Sequence, residues 1–139
     1  MKSLKQFVVV VAFAALSGIG LRAQTIDLRA SIPFDFHAGD RLLPAGEYQV
    51  HQDGGLIFLH GSGAGSPNQV LITIGATSRY APRKARLDFN VYGNEYFLTE
   101  VWSSTTRDGR LTLPTARQKE LAKRGDNPVQ VAVALKGGK

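Results

Sequence analysis

His51 and His60 lie on either side of Asp53-Gly54-Gly55, and an even-length turn there puts both imidazoles on one hairpin face, beside Gln49, Asp53, Leu56 and Phe58. Two imidazoles and the Asp53 carboxylate are donors that suit zinc or copper. The same spacing makes His51 and His60 diagonal neighbours, with no His-x-His and no cysteine nearby. Exposed hairpin histidines are the simpler reading, so no metal and no cofactor is expected, with His51, His60 and Asp53 as the weak ligand set.

Glu100 is the other residue with chemical potential. Simple pairing across Gly93-Asn94 sets Leu87 opposite Glu100, Phe89 opposite Leu98 and Val91 opposite Tyr96. Glu100 would then share an apolar face with Leu87, Phe89, Val91, Leu98 and Trp102. A carboxylate there must find a partner or hold its proton more tightly. An ion pair with Arg29 or Arg110 is the expected solution, and a general acid the alternative. A glycosidase would need a second carboxylate across the site, and the pattern nominates none.

Arg79, Tyr80, Arg83, Lys84 and Arg86 form a basic run with an aromatic inside it, the best sequence argument for an anionic partner. An ordinary solvated connection is the plainer reading. The Gly/Ser-rich stretch after His60 leads to Pro67-Asn68 and a strand, so it lacks the helix and Lys-Ser/Thr ending of a phosphate cradle. No Gly-x-Ser-x-Gly elbow and no cysteine nucleophile is present.

The elements that must position these residues are mostly strands. Apolar residues occupy every even position from Ile26 to Phe36, which reads as one half-buried strand, with Pro33 marking an edge or a bulge. Further strands are expected over 47–52, 56–60, 70–76, 86–92, 95–102, 111–113 and 129–135, joined by turn sequences at Pro44-Ala45-Gly46, Gly54-Gly55, Gly93-Asn94 and Asp108-Gly109. Thr115 and Gln118 have capping-box spacing, and Lys123 and Arg124 precede Gly125, so one helix is expected over 116–124. About eight strands and one short helix point to a single all-β antiparallel sandwich or small barrel. The strand around Pro33 and the late valine-rich strand leave edges where a partner could pair.

Residues 1–23 read as a secretory signal peptide cleaved after Ala23, and residues 24–139 as the one mature domain. Lys2 and Lys5 precede an apolar run over 7–16, and small residues follow. That run is far short of the roughly 20 residues that span a bilayer. Losing Lys2, Lys5 and Arg22 halves the formal charge, from +6 to +3, which speaks against a nucleic-acid partner. With no cysteine, the domain has no disulfide staple and must rely on its core.

Three blocks occur in order behind the leader: Ile32-Pro33-Phe34-Asp35-Phe36 with Leu43-Pro44-Ala45-Gly46-Glu47-Tyr48; Tyr92-Gly93-Asn94-Glu95-Tyr96-Phe97-Leu98-Thr99-Glu100-Val101-Trp102; and Gly109-Arg110 leading to Leu113-Pro114 and the charged helix. Together they resemble a group of small exported proteins from soil bacteria of the acidobacterial kind. The resemblance covers most of the mature chain, implies an exported β-domain, and assigns no residue a role. The expected function is a non-enzymatic binding or structural domain of the cell envelope, periplasmic or extracellular. Its expected partner is an anionic glycan, a lipid headgroup or another envelope protein. Tyr48, Tyr80, Tyr92, Tyr96 and Trp102 are the stock for a carbohydrate platform, which needs exposed rings, whereas Tyr96 and Trp102 by pattern face the core. The alternative is a small hydrolase or metal-dependent enzyme using Glu100 or the His51/His60 face.

Overall fold

Period-two alternation becomes ten strands and one helix in the computed structural model, which describes residues 26–63, 65–80, 84–103 and 107–137. The expected leader over 1–23 lies outside the described residues, as does Arg83. The strands are β1 (Ile26–Ile32), β2 (Phe36–Ala38), β3 (Arg41–Leu43), β4 (Gly46–Asp53), β5 (Leu56–Gly61), β6 (Asn68–Thr77), β7 (Arg86–Tyr92), β8 (Glu95–Trp102), β9 (Asp108–Thr112) and β10 (Val129–Gly137), with α1 (Ala116–Lys123) before the last.

Eight of them close into an antiparallel barrel in the order β1-β4-β5-β6-β9-β8-β7-β10 and back to β1. Eight strands enclose a space that side chains can fill, and Ile57, Leu59, Leu87 and Phe89 are fully buried in it. The tight hairpins β4–β5 and β7–β8 turn on Gly54 (φ +57°) and Gly93 (φ +64°), a backbone region that L side chains rarely adopt. No described helix is long and apolar enough to cross a membrane. On β1 and β4 the outer face of the wall carries Asp27, Arg29, Glu47 and Gln49, all exposed.

Two expectations change here. The strand expected to run from Ile26 to Phe36 stops at Ile32, and Pro33, which cannot donate a ladder bond, marks the break. β1 is not an edge, because β4 and β10 flank it. After the break, Phe34 turns inward, stacking on Tyr96 at 3.9 Å and meeting the edge of Phe89 at 5.0 Å. β2 and β3 form a short hairpin on the edge of β8 that β9 leaves free: His37 pairs in parallel with Phe97, while β9 pairs with residues 100–102. Gln69 Nε2 donates to the Ala38 carbonyl and Arg41 Nη1 to the Asn68 carbonyl, both at 2.9 Å, and so tie that hairpin to β6.

The second change decides the site. Between β7 and β8 the register slips at Asp88/Phe89, so that Phe89 still faces Leu98 and Val91 still faces Tyr96, but Asp88 faces Glu100 and Leu87 faces Val101. Thr99 is the extra residue, and its hydroxyl donates to the Asp88 carbonyl at 3.1 Å. A single inserted residue reverses every side chain beyond it. Glu100 and Trp102 therefore lie on the outer face of the barrel, not on the core face with Leu87 and Phe89.

α1 begins as expected, with Thr115 Oγ1 accepting from the Gln118 N–H at 3.2 Å. Leu121 packs on Tyr92 and Phe97, a second small core outside the barrel wall. Arg117 holds Glu95 through two bonds, at 2.9 and 3.1 Å, and so fixes the helix to the start of β8.

Candidate functional site

The bulge builds an outer cluster of Arg86, Asp88, Glu100 and Trp102. Asp88 is only 3% exposed. Arg86 Nε donates to both of its oxygens, at 3.0 and 3.2 Å, and the Glu100 carboxyl hydrogen-bonds to it from β8. Burial pushes the Asp88 pKa above the ordinary carboxylate range; Arg86 opposes this by hydrogen bond and charge, and Glu100 adds to it. Trp102 Nε1 donates to Glu100 Oε2 at 2.6 Å, and the Arg86 guanidinium lies 5.8 Å from the centre of the Trp102 ring. The indole lies against Gly109, where a Cβ would come within 2.4 Å of the ring.

Neither arginine expected for Glu100 reaches it. Arg29 stands on β1, with β10 and β7 between it and β8. Arg110 is committed to Thr73, donating to its hydroxyl and its carbonyl at 2.8 Å each. The partner is Asp88, the second carboxylate that the sequence pattern failed to nominate. Simple alternation placed Asp88 outward and Glu100 inward, and only the bulge brings them together. Glu100 stands opposite Asp88 in the ladder, so its charge and hydrogen bond add to the cost of ionising the buried Asp88. Glycoside hydrolysis instead requires a gap of roughly 5 Å or more between them.

His51 and His60 do lie on the outer face of the β4–β5 hairpin, with His51 opposite Phe58 and His60 opposite Gln49. Phe58 separates them, its ring centroid 5.8 Å from one imidazole and 6.4 Å from the other. His51 Nδ1 pairs with Asp27 at 2.9 Å, not with Asp53, and His60 Nδ1 with Asn68 at 3.1 Å. Among the described residues, no group of three or more His, Cys, Asp or Glu is placed to hold a metal.

In the basic run, Arg79 and Lys84 are exposed and Tyr80 is 81% exposed, whereas Arg86 is occupied by Asp88 and Trp102. The Gly/Ser-rich loop is closed by its own bonds, with the Gly61 N–H donating to the Pro67 carbonyl at 3.1 Å and Ser66 Oγ to the Ser62 carbonyl at 2.7 Å. Tyr96 packs on the core as expected, but Trp102, though 7% exposed, is sealed on the outside of the wall.

β6 carries the least expected surface. Its alternating apolar set, Val70, Ile72 and Ile74, faces solvent, and Ile72 is 69% exposed, while Leu71 and Thr73 face in. Across the sheet Leu56 pairs with Ile72, Phe58 with Val70 and Leu111 with Ile74, so the aliphatic surface spreads over β5, β6 and β9. At one end lies a groove of about 370 Å³ between Gly39, Asp40 and Arg41 of the β2–β3 turn and Leu113, Pro114 and Thr115 before α1, with Val70 and Ile72 among its lining. An exposed contiguous apolar face marks an interaction site more often than chance placement does.

No family model, curated protein or solved structure matches this chain.

Proposed function

We propose that the mature chain is an exported, non-enzymatic binding domain that docks another envelope protein on the outer face of β5, β6 and β9. On this reading it belongs with the exported group that its sequence blocks resemble. The observation that carries the proposal is the outward aliphatic set of β6, which costs solubility and contributes little to the core. The groove beside it adds Leu113 to Val70 and Ile72 among polar neighbours such as Gln69 and Thr112, and its one cation, Arg41, has Asp40 beside it. That chemistry suits an apolar segment of a protein better than an anionic glycan or a lipid headgroup, which call for clustered cations or an open aromatic plane. Arg79, Tyr80 and Lys84 remain as the surface for such an anion. The enzyme reading has less support, because Asp88 is sealed and the histidines are separately engaged.

A photoreactive residue at position 72 should give one adduct in the exporting cell, whereas the same probe at Gln49 on the polar wall should give none. Adding Ile74→Lys should remove the adduct. Equal adducts from both positions, or an adduct that survives Ile74→Lys, would overturn the reading. The same preparation, weighed by mass spectrometry, should begin at Gln24.

A further inference from the structure

β10 changes partners along its length. Residues 129–134 pair with β7, whereas only residues 135–137 pair with β1. Ser31 and Ile32 at the end of β1 pair with β4 alone among the described residues. The other edge of 129–134 therefore has no strand on it among the described residues. Burial follows: Val129 is 65% exposed, Gln130, Ala132 and Ala134 are exposed, and Val131 and Val133 are half-buried.

The backbone direction is also fixed. Leu135 N–H donates to the Ala85 carbonyl on the β7 side, at 2.9 Å. Because peptide groups alternate along a strand, Gln130, Ala132 and Ala134 turn their N–H and C=O toward the open edge. Such edges are usually guarded by lysine, proline or a bulge. Residues 129–135 contain no charge and no proline.

We propose that this edge pairs antiparallel with the same edge of a second copy of the chain, with the two-fold axis at Ala132. Ala132 then faces its counterpart and Gln130 faces Ala134, each pair exchanging both N–H···O bonds. Val131 meets Val133 on the inner side, and no charge opposes another. At Leu135, β1 occupies the edge, so the incoming strand must leave the sheet at Val129 and Pro128, and proline has no N–H to lose there. A cleft of about 440 Å³ lies at this point, lined in part by Ala30, Val133 and Ala134, with Arg29 and Lys136 on it as cations and Glu47 as an anion. The exposed Val129 of the second copy fills its apolar part, and Asp126 of that copy approaches Arg29 and Lys136. A second copy thus answers the cleft in shape and in charge, and the edge in hydrogen bonds.

Sedimentation equilibrium of the exported protein, at concentrations rising to millimolar, tests this. The expected result is a mass rising toward twice that of the chain. Ala132→Lys, at an exposed position, sets two ammonium groups opposite each other and should weaken association at least tenfold with no change in unfolding midpoint. An equimolar mixture of Ala132→Lys and Ala132→Glu should restore it. A parent that stays monomeric throughout, a lysine variant that associates like the parent, or a mixture that fails to recover would overturn the proposal.

Discussion

Gly109→Ala is expected to destabilise the barrel by about 3 kcal/mol, the upper end of what overpacking costs. The added Cβ would lie 2.4 to 2.7 Å from Cε3, Cζ3 and Cδ2 of Trp102, well inside any tolerable contact. The indole cannot easily yield, since Glu100 holds its Nε1 at 2.6 Å and Arg86 covers it. Trp102 is the single tryptophan of the chain, so denaturant unfolding and emission wavelength report on the same group. The midpoint should fall and the native emission move to the red. A change within about 0.5 kcal/mol, the range of a neutral surface substitution, would show that the indole does not lie on Gly109.

Arg86→Met should cost about 2 kcal/mol at neutral pH, within the range for leaving a buried polar or charged group without its partner. The value sits below that of a fully buried ion pair because the guanidinium is partly in water. The sign of its pH dependence follows from Asp88. A folded-state pKa raised above the unfolded value means that the folded chain binds the proton more tightly. The contribution of this group to stability is then complete below the ordinary carboxylate pKa of about 3.9, and is lost as pH rises through the folded value. Removing Arg86 takes away the influence that lowers that value and moves it further up. The deficit against the parent should therefore be larger near pH 7 than near pH 4, because lowering the pH protonates Asp88 and removes the charge that Arg86 offsets. Denaturant melts at the two pH values check this, and an equal loss at both would contradict the burial of an ionised Asp88.

The sequence made the strands legible because period-two alternation and the Gly54 and Gly93 turns are local signals. β7 and β8 fall where the pattern put them, and His51 and His60 share the face that the hairpin turn dictated. What alternation cannot carry is phase. In β6 the apolar residues Val70, Ile72 and Ile74 outnumber Leu71 as a core set, yet pairing with β5 and β9 turns them outward. Nor does alternation register an inserted residue. Thr99 looks like an ordinary strand position, but it moves Glu100 from the core face to the side of Asp88 and carries Trp102 with it. Pro33 signals an edge or a bulge by its missing N–H, and in the structure it instead follows the end of a strand flanked on both sides. The site was therefore less legible than the fold, because it depends on long-range register that no short window contains.

The most direct test is the triple variant Val70→Thr, Ile72→Thr, Ile74→Thr, which keeps β-branched side chains on β6 but removes its outer aliphatic surface. If that face serves a partner and not the core, unfolding free energy should stay within about 1 kcal/mol of the parent, because surface substitutions cost little each. The adduct formed by the photoreactive probe, placed on the neighbouring Leu56, should at the same time disappear. A loss of several kcal/mol, or an adduct undiminished in the folded variant, would contradict the account.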